Sequence, residues 1–307
     1  MVESNNNHPF VRRLLNLNIE HPQITTIYKI FESMMKRPGK TRHLFIMGSS
    51  NVGKSTLAEK FLEKHPEYTD VDEEGTEIDK RPVILVEIPH PFTLKEFYYE
   101  VLDSLGTPRL SGRPEINDLK VKAYNLINKQ EVKLIIFDEI NNILTSSINN
   151  KTAMDAIKQM ANKTKVPLVL MGTPDSVKLR EEDEQYKSRY RPKALKRFEE
   201  CDDEFCSFLK KIEEKIDPPK PLYLWNDQTA QLLHYMSKGK VGYITPLLIE
   251  AFSLLGVFEK DFDDFDKLTF NADLLDKAYE IILGDALDDD LEKESNKLKN
   301  YNSSHIE

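Results

Sequence analysis

Uninterrupted apolar runs punctuate the chain and alternate with stretches of helical period. Leu44-Phe45-Ile46-Met47, Val83-Ile84-Leu85-Val86-Glu87-Ile88, Leu134-Ile135-Ile136-Phe137 and Leu168-Val169-Leu170-Met171 predict four strands. Strands that are apolar throughout, rather than at every second position, are expected where helices cover both faces of a parallel sheet. Ile24, Ile27, Ile30 and Phe31 fall on one stripe of a helix over residues 24–36, which Arg37-Pro38-Gly39-Lys40 stops. Further helices are expected over residues 56–64, 94–105 and 118–128, the last two separated by a loop at 106–117. From about Phe198 the strand signals vanish and the pattern is helical. The expected fold is α/β: a parallel sheet flanked by helices, followed by a small α-helical lid. The expected boundaries are an N-terminal helical segment (1–40), the α/β core (41–197), the lid (198–284) and an acidic, polar tail (285–307).

The candidate chemistry lies at the ends of the predicted strands. Gly48-Ser49-Ser50-Asn51-Val52-Gly53-Lys54-Ser55 matches G-x-x-x-x-G-K-[ST] between a strand and a helix, and Thr56 follows. Glycines let such a loop curl so that its N–H groups point at phosphate, and the helix N-terminus adds a favourable field. Lys54 offers a point charge to the outer phosphates of ATP, and Ser55 offers a hydroxyl to Mg2+. Residues 48–56 are therefore the expected nucleotide site. Leu134-Ile135-Ile136-Phe137 delivers Asp138-Glu139 to the C-terminal end of a strand, beside that loop. Asp138 is expected to hold magnesium, and Glu139 to orient or deprotonate the attacking water. Thr173, after the next strand, is a candidate sensor of water and γ-phosphate. Residues 187–197 hold six bases and no acid. A solvated basic face is the usual reason for such a run. Placed after the last predicted core strand, it is also where a ring or filament ATPase takes an arginine that reaches a neighbouring subunit's γ-phosphate. Arg189 is the first candidate, with Arg191 behind it.

Composition narrows the classes. With 307 residues and 39% apolar content the chain can bury one substantial core and a smaller second one. No apolar run reaches the roughly 18 residues of a membrane span, and no apolar stretch follows basic residues at the N-terminus, so a cytoplasmic location without membrane is expected. Cys201 and Cys206 read as ordinary reduced thiols. The net charge of −9 is segregated. Residues 259–294 carry fourteen acids and four lysines, a net −10, and residues 1–258 sum to zero. The acidic balance is therefore silent about DNA.

Several segments beyond the phosphate motifs carry a family resemblance over roughly residues 21–248. They are Arg42-His43-Leu44, Ile88-Pro89 followed by Thr93-Leu94-Lys95, Leu105-Gly106-Thr107-Pro108, residues 137–144, residues 166–173, and Gln185-Tyr186-Lys187-Ser188-Arg189-Tyr190. On these the chain resembles the TniB/TnsC group of AAA+ transposition regulators, relatives of IstB and of the DnaC helicase loader. Lids of that group often carry an arginine just after a glycine; here Tyr243 stands in that place.

The resemblance implies an AAA+ ATPase that uses ATP and Mg2+ and assembles on duplex DNA as a ring or helical filament. It implies as partners a DDE transposase (TnsB-like, with a TnsA-like companion) and a TniQ-like target selector, in some elements attached to a CRISPR effector. Basic side chains on an inner surface would neutralise phosphates without reading bases. Arg109, Arg113, Lys120, Lys122 and Lys151 are the candidates. A helicase-loader or replication-initiator ATPase is the alternative, and a small-molecule P-loop kinase a more distant one.

Overall fold

In chain order the strands are β1 (His43–Met47), β2 (Tyr68–Val71), β3 (Glu77–Lys80), β4 (Val83–Glu87), β5 (Leu134–Asp138), β6 (Leu168–Gly172) and β7 (Tyr190–Ala194). The computed structural model describes residues 8–17, 21–37, 39, 43–71, 75–109, 112–265, 268 and 270–283. Pro38, Lys40 and Arg42, and the tail read at 285–307, lie outside the described residues. β4, β5, β6, β1 and β7 form, in that spatial order, a five-stranded sheet in which every neighbouring pair is parallel. β2 and β3 form a separate antiparallel hairpin of polar, mostly exposed residues.

Helices cover both faces of the sheet, which is why its strands are apolar throughout. Alternate residues of each strand point to opposite sides. Phe45, Ile135, Phe137, Leu168 and Leu170 enter one core layer with α4 (Leu94–Ser104), α5 (Ile116–Lys129) and α6 (Asn150–Thr164). Leu44, Ile46, Leu134, Ile136, Val169 and Met171 enter the other with α2 (Gln23–Met35) and α3 (Lys54–Glu63). In that second layer Phe31 meets Phe61 edge-on at 4.9 Å. Burial of each such ring contributes about 1.5–3 kcal/mol over leaving it in water.

β7 corrects the expectation that residues 168–171 form the last core strand. Its sequence, Tyr-Arg-Pro-Lys-Ala, has little apolar content, yet it pairs with β1 from His43↔Tyr190 to Met47↔Ala194. As an edge strand it buries little and can place Pro192, which lacks an N–H, without breaking a ladder on its outer side. Two short helices, α7 (Val177–Glu181) and α8 (Glu184–Arg189), lead into it.

The described residues divide into two compact units. One lies within residues 20–199. The other joins α1 (Pro9–Leu15) to α9 (Asp203–Ile216), α10 (Asp227–Ser237), α11 (Val241–Leu254) and α12 (Ala272–Leu283). The stretch expected as one N-terminal segment is thus shared out, α2 to the sheet and α1 to the C-terminal helices. In the helical unit Phe10 of α1 is fully buried and meets Phe252 edge-on at 5.2 Å. Arg13 donates from Nε to the Ile216 carbonyl at 2.9 Å and from Nη2 to that of Asp217 at 2.9 Å, satisfying the open carbonyl end of α9. Among the described residues no helix is long and apolar enough to cross a membrane.

Candidate nucleotide site

The loop after β1 has the backbone that its glycines allow. Gly53 sits at φ 98, a left-handed conformation, with open space where a side chain would stand. Gly48 donates its N–H to the Gly172 carbonyl at 3.1 Å, which fastens the loop to the end of β6. A Cβ on Gly48 would come within 2.7 Å of Val52 Cγ1 and 2.8 Å of the Leu195 carbonyl oxygen, so a glycine is required by packing as well. α3 begins at Lys54, which is buried. Its ammonium donates to the carbonyls of Gly48 (2.9 Å) and Ser49 (3.0 Å), inside the loop where phosphate oxygens would lie.

β5 ends beside this loop. Asp138 is 6% exposed, and its carboxylate accepts the Ser55 hydroxyl at 2.7 Å and the Glu139 N–H at 2.8 Å. Burial pushes the Asp138 carboxyl above the ordinary aspartate range, and the two hydrogen bonds and the nearby Lys54 only partly offset that. A desolvated carboxylate against a hydroxyl, beside a glycine loop that opens a helix at Lys54, fits a magnesium nucleotide. Among the described residues no group of three or more His, Cys, Asp or Glu side chains could hold a metal by protein alone.

Glu139 follows at φ 54, left-handed and non-glycine. A 3-10 turn, Ile140–Ile143, comes next. Within it Asn141 donates from Nδ2 to Glu139 Oε2 at 3.0 Å, and Asn142 donates to the Ile88 carbonyl at 2.8 Å. Thr173, partly buried after β6, donates its N–H to Asn141 Oδ1 at 3.1 Å. The sheet thus brings the loop, Asp138, Glu139 and Thr173 to one edge. Sequence reasoning missed Asn141; a lone asparagine in a turn gives no signal until its partners are known.

Arg189 lies elsewhere. It closes α8, directly before β7, so it sits at the N-terminal edge of the sheet while the phosphate loop leaves the C-terminal edge of β1. Five register pairs separate the two, roughly 16 Å of strand. Arg189 donates from Nη1 to Asn162 Oδ1 at 2.8 Å. Arg180 donates to the carbonyls of Tyr190 (2.8 Å) and Lys187 (3.1 Å), on either side of it, and holds the segment's shape. Under it His43 accepts the Leu168 N–H at 3.1 Å through Nδ1. Burial first and the Arg189 charge second lower the His43 pKa to about 4, so the ring is neutral beside the guanidinium. Arg191 is exposed on β7.

The five basic residues expected to face DNA differ in their partners. Arg109 is held among three acids of α4, at 3.4 Å from Glu96, 3.6 Å from Glu100 and 3.6 Å from Asp103, and its guanidinium lies over the Tyr99 ring. Lys151 faces Asp183 at 3.6 Å. Lys120 donates to the neutral Gln159 at 2.9 Å, Lys122 is half-buried on α5, and Arg113 is exposed. In the helical unit Lys240 caps the start of α11, with its ammonium 5.6 Å from the Tyr243 ring. Cys201 and Cys206 are free thiols, and burial pushes Cys201 up to about 11.

Known structures share this fold. The Aeropyrum pernix ORC2 protein, in its ADPNP–ADP complexes, superposes with a TM-score of 0.59 at 16% identity, covering 90% of this chain and 72% of that one. The Aeropyrum pernix ORC1 protein in complex with DNA gives 0.59 at 13% identity, over 88% of this chain and 68% of that one. A Walker-type ATPase of Pyrococcus abyssi gives 0.56 at 13% identity, over 94% and 80%. At such identities the likeness bears on the fold, which is that of AAA+ proteins. No curated protein matches the chain. The profile of the family described as "Bacterial TniB protein" matches residues 16–200, more than half of the length. The chain belongs to the TniB family and is an AAA+ ATPase.

Proposed function

We propose that this ATPase is a DNA-transposition regulator. It binds duplex DNA in an ATP-dependent, sequence-tolerant way and assembles on target DNA as a ring or helical filament. There it couples a TniQ-like target selector to recruitment and activation of a DDE transposase in the bacterial cytoplasm. The observation that carries the reading is the place of Arg189, at the sheet edge remote from its own phosphate loop. That distance from its own phosphate loop supports a role for Arg189 at the nucleotide of a neighbouring copy.

In this reading residues 48–56 cradle the nucleotide, and Lys54 exchanges the Gly48 and Ser49 carbonyls for phosphate oxygens. Ser55 and Asp138, now hydrogen-bonded to each other, would hold magnesium, and the ion would neutralise charge on the phosphates. Glu139 orients the attacking water, and Thr173 touches water and γ-phosphate. Arg189 of the adjoining copy stabilises the charge that develops on the transferred phosphoryl group. Lys120, Lys122, Arg113 and Lys151 bind backbone phosphates irrespective of sequence, and Arg109, held by three carboxylates of α4, adds least. Nucleotide state and assembly are thereby one equilibrium.

Electron micrographs of the protein with ATP and duplexes of unrelated sequence test this directly. Rings or filaments on every duplex, lost without ATP and weakened steeply by salt, are expected. A monomer under those conditions, or a site-specific footprint on naked DNA, overturns the reading.

A further inference from the structure

The Asn141 side chain spans two elements of the site. Its Nδ2 donates to Glu139 Oε2 at 3.0 Å, while its Oδ1 accepts the Thr173 N–H at 3.1 Å. Chemistry fixes which way the amide points. A peptide N–H can only donate, so Oδ1 must face Thr173, and the NH2 is left for the carboxylate.

Both ends of this link are pinned. At one end Glu139 takes a left-handed backbone at φ 54, which a non-glycine residue keeps only where its surroundings over-determine it. Asn142 ties the same turn to the Ile88 carbonyl. At the other end the Thr173 carbonyl accepts both the Ser176 hydroxyl at 2.5 Å and the Ser176 N–H at 3.0 Å. Gly172 lets the two ends approach. A Cβ there would lie 2.6 Å from Ile140 Cγ2, 2.8 Å from Ser176 Oγ and 3.1 Å from Asn141 Oδ1. The turn after β5 and the turn after β6 are therefore packed without room for one methyl group, and Asn141 is the polar bond across the seam.

We propose that Asn141 is a positioning residue for ATP hydrolysis. It aims the Glu139 carboxylate and ties that aim to the main chain of Thr173, so that a displacement of the sensor turn by phosphate is delivered to the residue that orients water. The proposal rests on the roles given above to Glu139 and Thr173. It assigns Asn141 no contact with nucleotide.

Two substitutions separate the ends of the link. Asn141→Asp keeps an oxygen for the Thr173 N–H and sets a carboxylate against Glu139, whereas Asn141→Ala removes both bonds. In both variants kcat should fall roughly ten- to hundredfold while ATP affinity stays within about twofold of wild type. In the nucleotide-free protein, hydrogen exchange at the Thr173 amide should stay slow in the Asp variant and speed up in the Ala variant. Glu139→Gln is measured alongside. Wild-type turnover in Asn141→Asp, with Glu139→Gln slow, overturns the proposal and leaves the Glu139 assignment standing. Fast turnover in Glu139→Gln removes the assignment and the proposal together. Loss of ATP affinity and of Thr173 protection in Asn141→Asp would mark the residue as structural only, and also overturn it.

Discussion

The Ser55 hydroxyl donates to Asp138 across the seam between α3 and β5 at 2.7 Å, which pairs the first turn of a helix with a carboxylate that is almost fully buried. Because burial raises the Asp138 pKa in the folded chain, the folded state holds this proton more tightly than the unfolded one. The group's contribution to stability therefore declines as pH rises from the ordinary aspartate range through the raised value, and stays low above it. Asp138→Asn should melt higher than wild type at neutral pH without nucleotide, and the gain should fade in acid. The amide can keep both contacts, since the Ser55 hydroxyl can turn round and accept. Magnesium–ATP affinity should move the other way, weakening as pH falls through the raised pKa, because the ion requires the carboxylate ionised. Calorimetry across pH checks the first, and nucleotide titration checks the second. A lower melting point for the nucleotide-free Asn variant at pH 7 would contradict the account.

Arg189 should be dispensable for folding and indispensable for turnover. Arg189→Ala should lower ATP hydrolysis on DNA by ~10³-fold, as expected of an arginine acting in trans. Lys54→Ala should abolish ATP binding while the fold persists. Mixed together, the two inactive proteins can form an interface with a good phosphate loop from one and a good arginine from the other, so part of the activity should return. Co-assembly without any return removes Arg189 from the role. Asn162→Ala, which releases the Arg189 side chain without removing it, should cost far less than Arg189→Ala.

Packing at Gly172 yields a stability prediction. Gly172→Ala has to push apart Ile140 and Ser176, and overpacking of that kind costs about 1–3 kcal/mol. Urea unfolding should register it as a lower midpoint with an unchanged slope. ATP turnover should fall as well, because the same methyl group crowds Asn141.

For DNA the ion pairs rank the candidates. Arg109 already meets three carboxylates of α4, so Arg109→Ala should change DNA affinity little. Reversing Lys120 and Lys122 together should weaken binding on every duplex and reduce the salt slope by roughly 0.9 for each phosphate that is no longer neutralised. Titrations at several salt concentrations measure both; an unchanged slope in the double reversal would move the DNA face away from α5.

Where burial dictated residue type, the fold could be read from the chain. The runs at 44–47, 83–88, 134–137 and 168–171 became β1, β4, β5 and β6 because each is covered on both faces. β7 escaped because an edge strand needs few apolar residues, and its Arg191, Pro192 and Lys193 imitate a solvated basic run. The hairpin of β2 and β3 escaped for the same reason, its residues being mostly exposed. Likewise α1 is short, and its buried Phe10, Val11 and Leu14 are matched by partners that come long after it in sequence. At the candidate site, the meeting of the 48–55 loop with Asp138-Glu139 was legible from spacing alone. Asn141 and Arg180 were not, since their meaning lies in which carbonyl, amide or carboxylate they meet.

The parallel ladder of β1 and β7 has a consequence for growth. It fixes a polarity in each subunit, with the nucleotide loop at one end of the sheet and the arginine at the other. Contacts that join unlike ends repeat head to tail, and they saturate only when a ring closes. An open filament that grows through Arg189 then always has one terminal copy whose nucleotide lacks a completing arginine. In an assembly of the proposed kind that copy should hydrolyse slowly whatever its neighbours do, so ATP should persist there longest and the two ends of one filament should age at different rates.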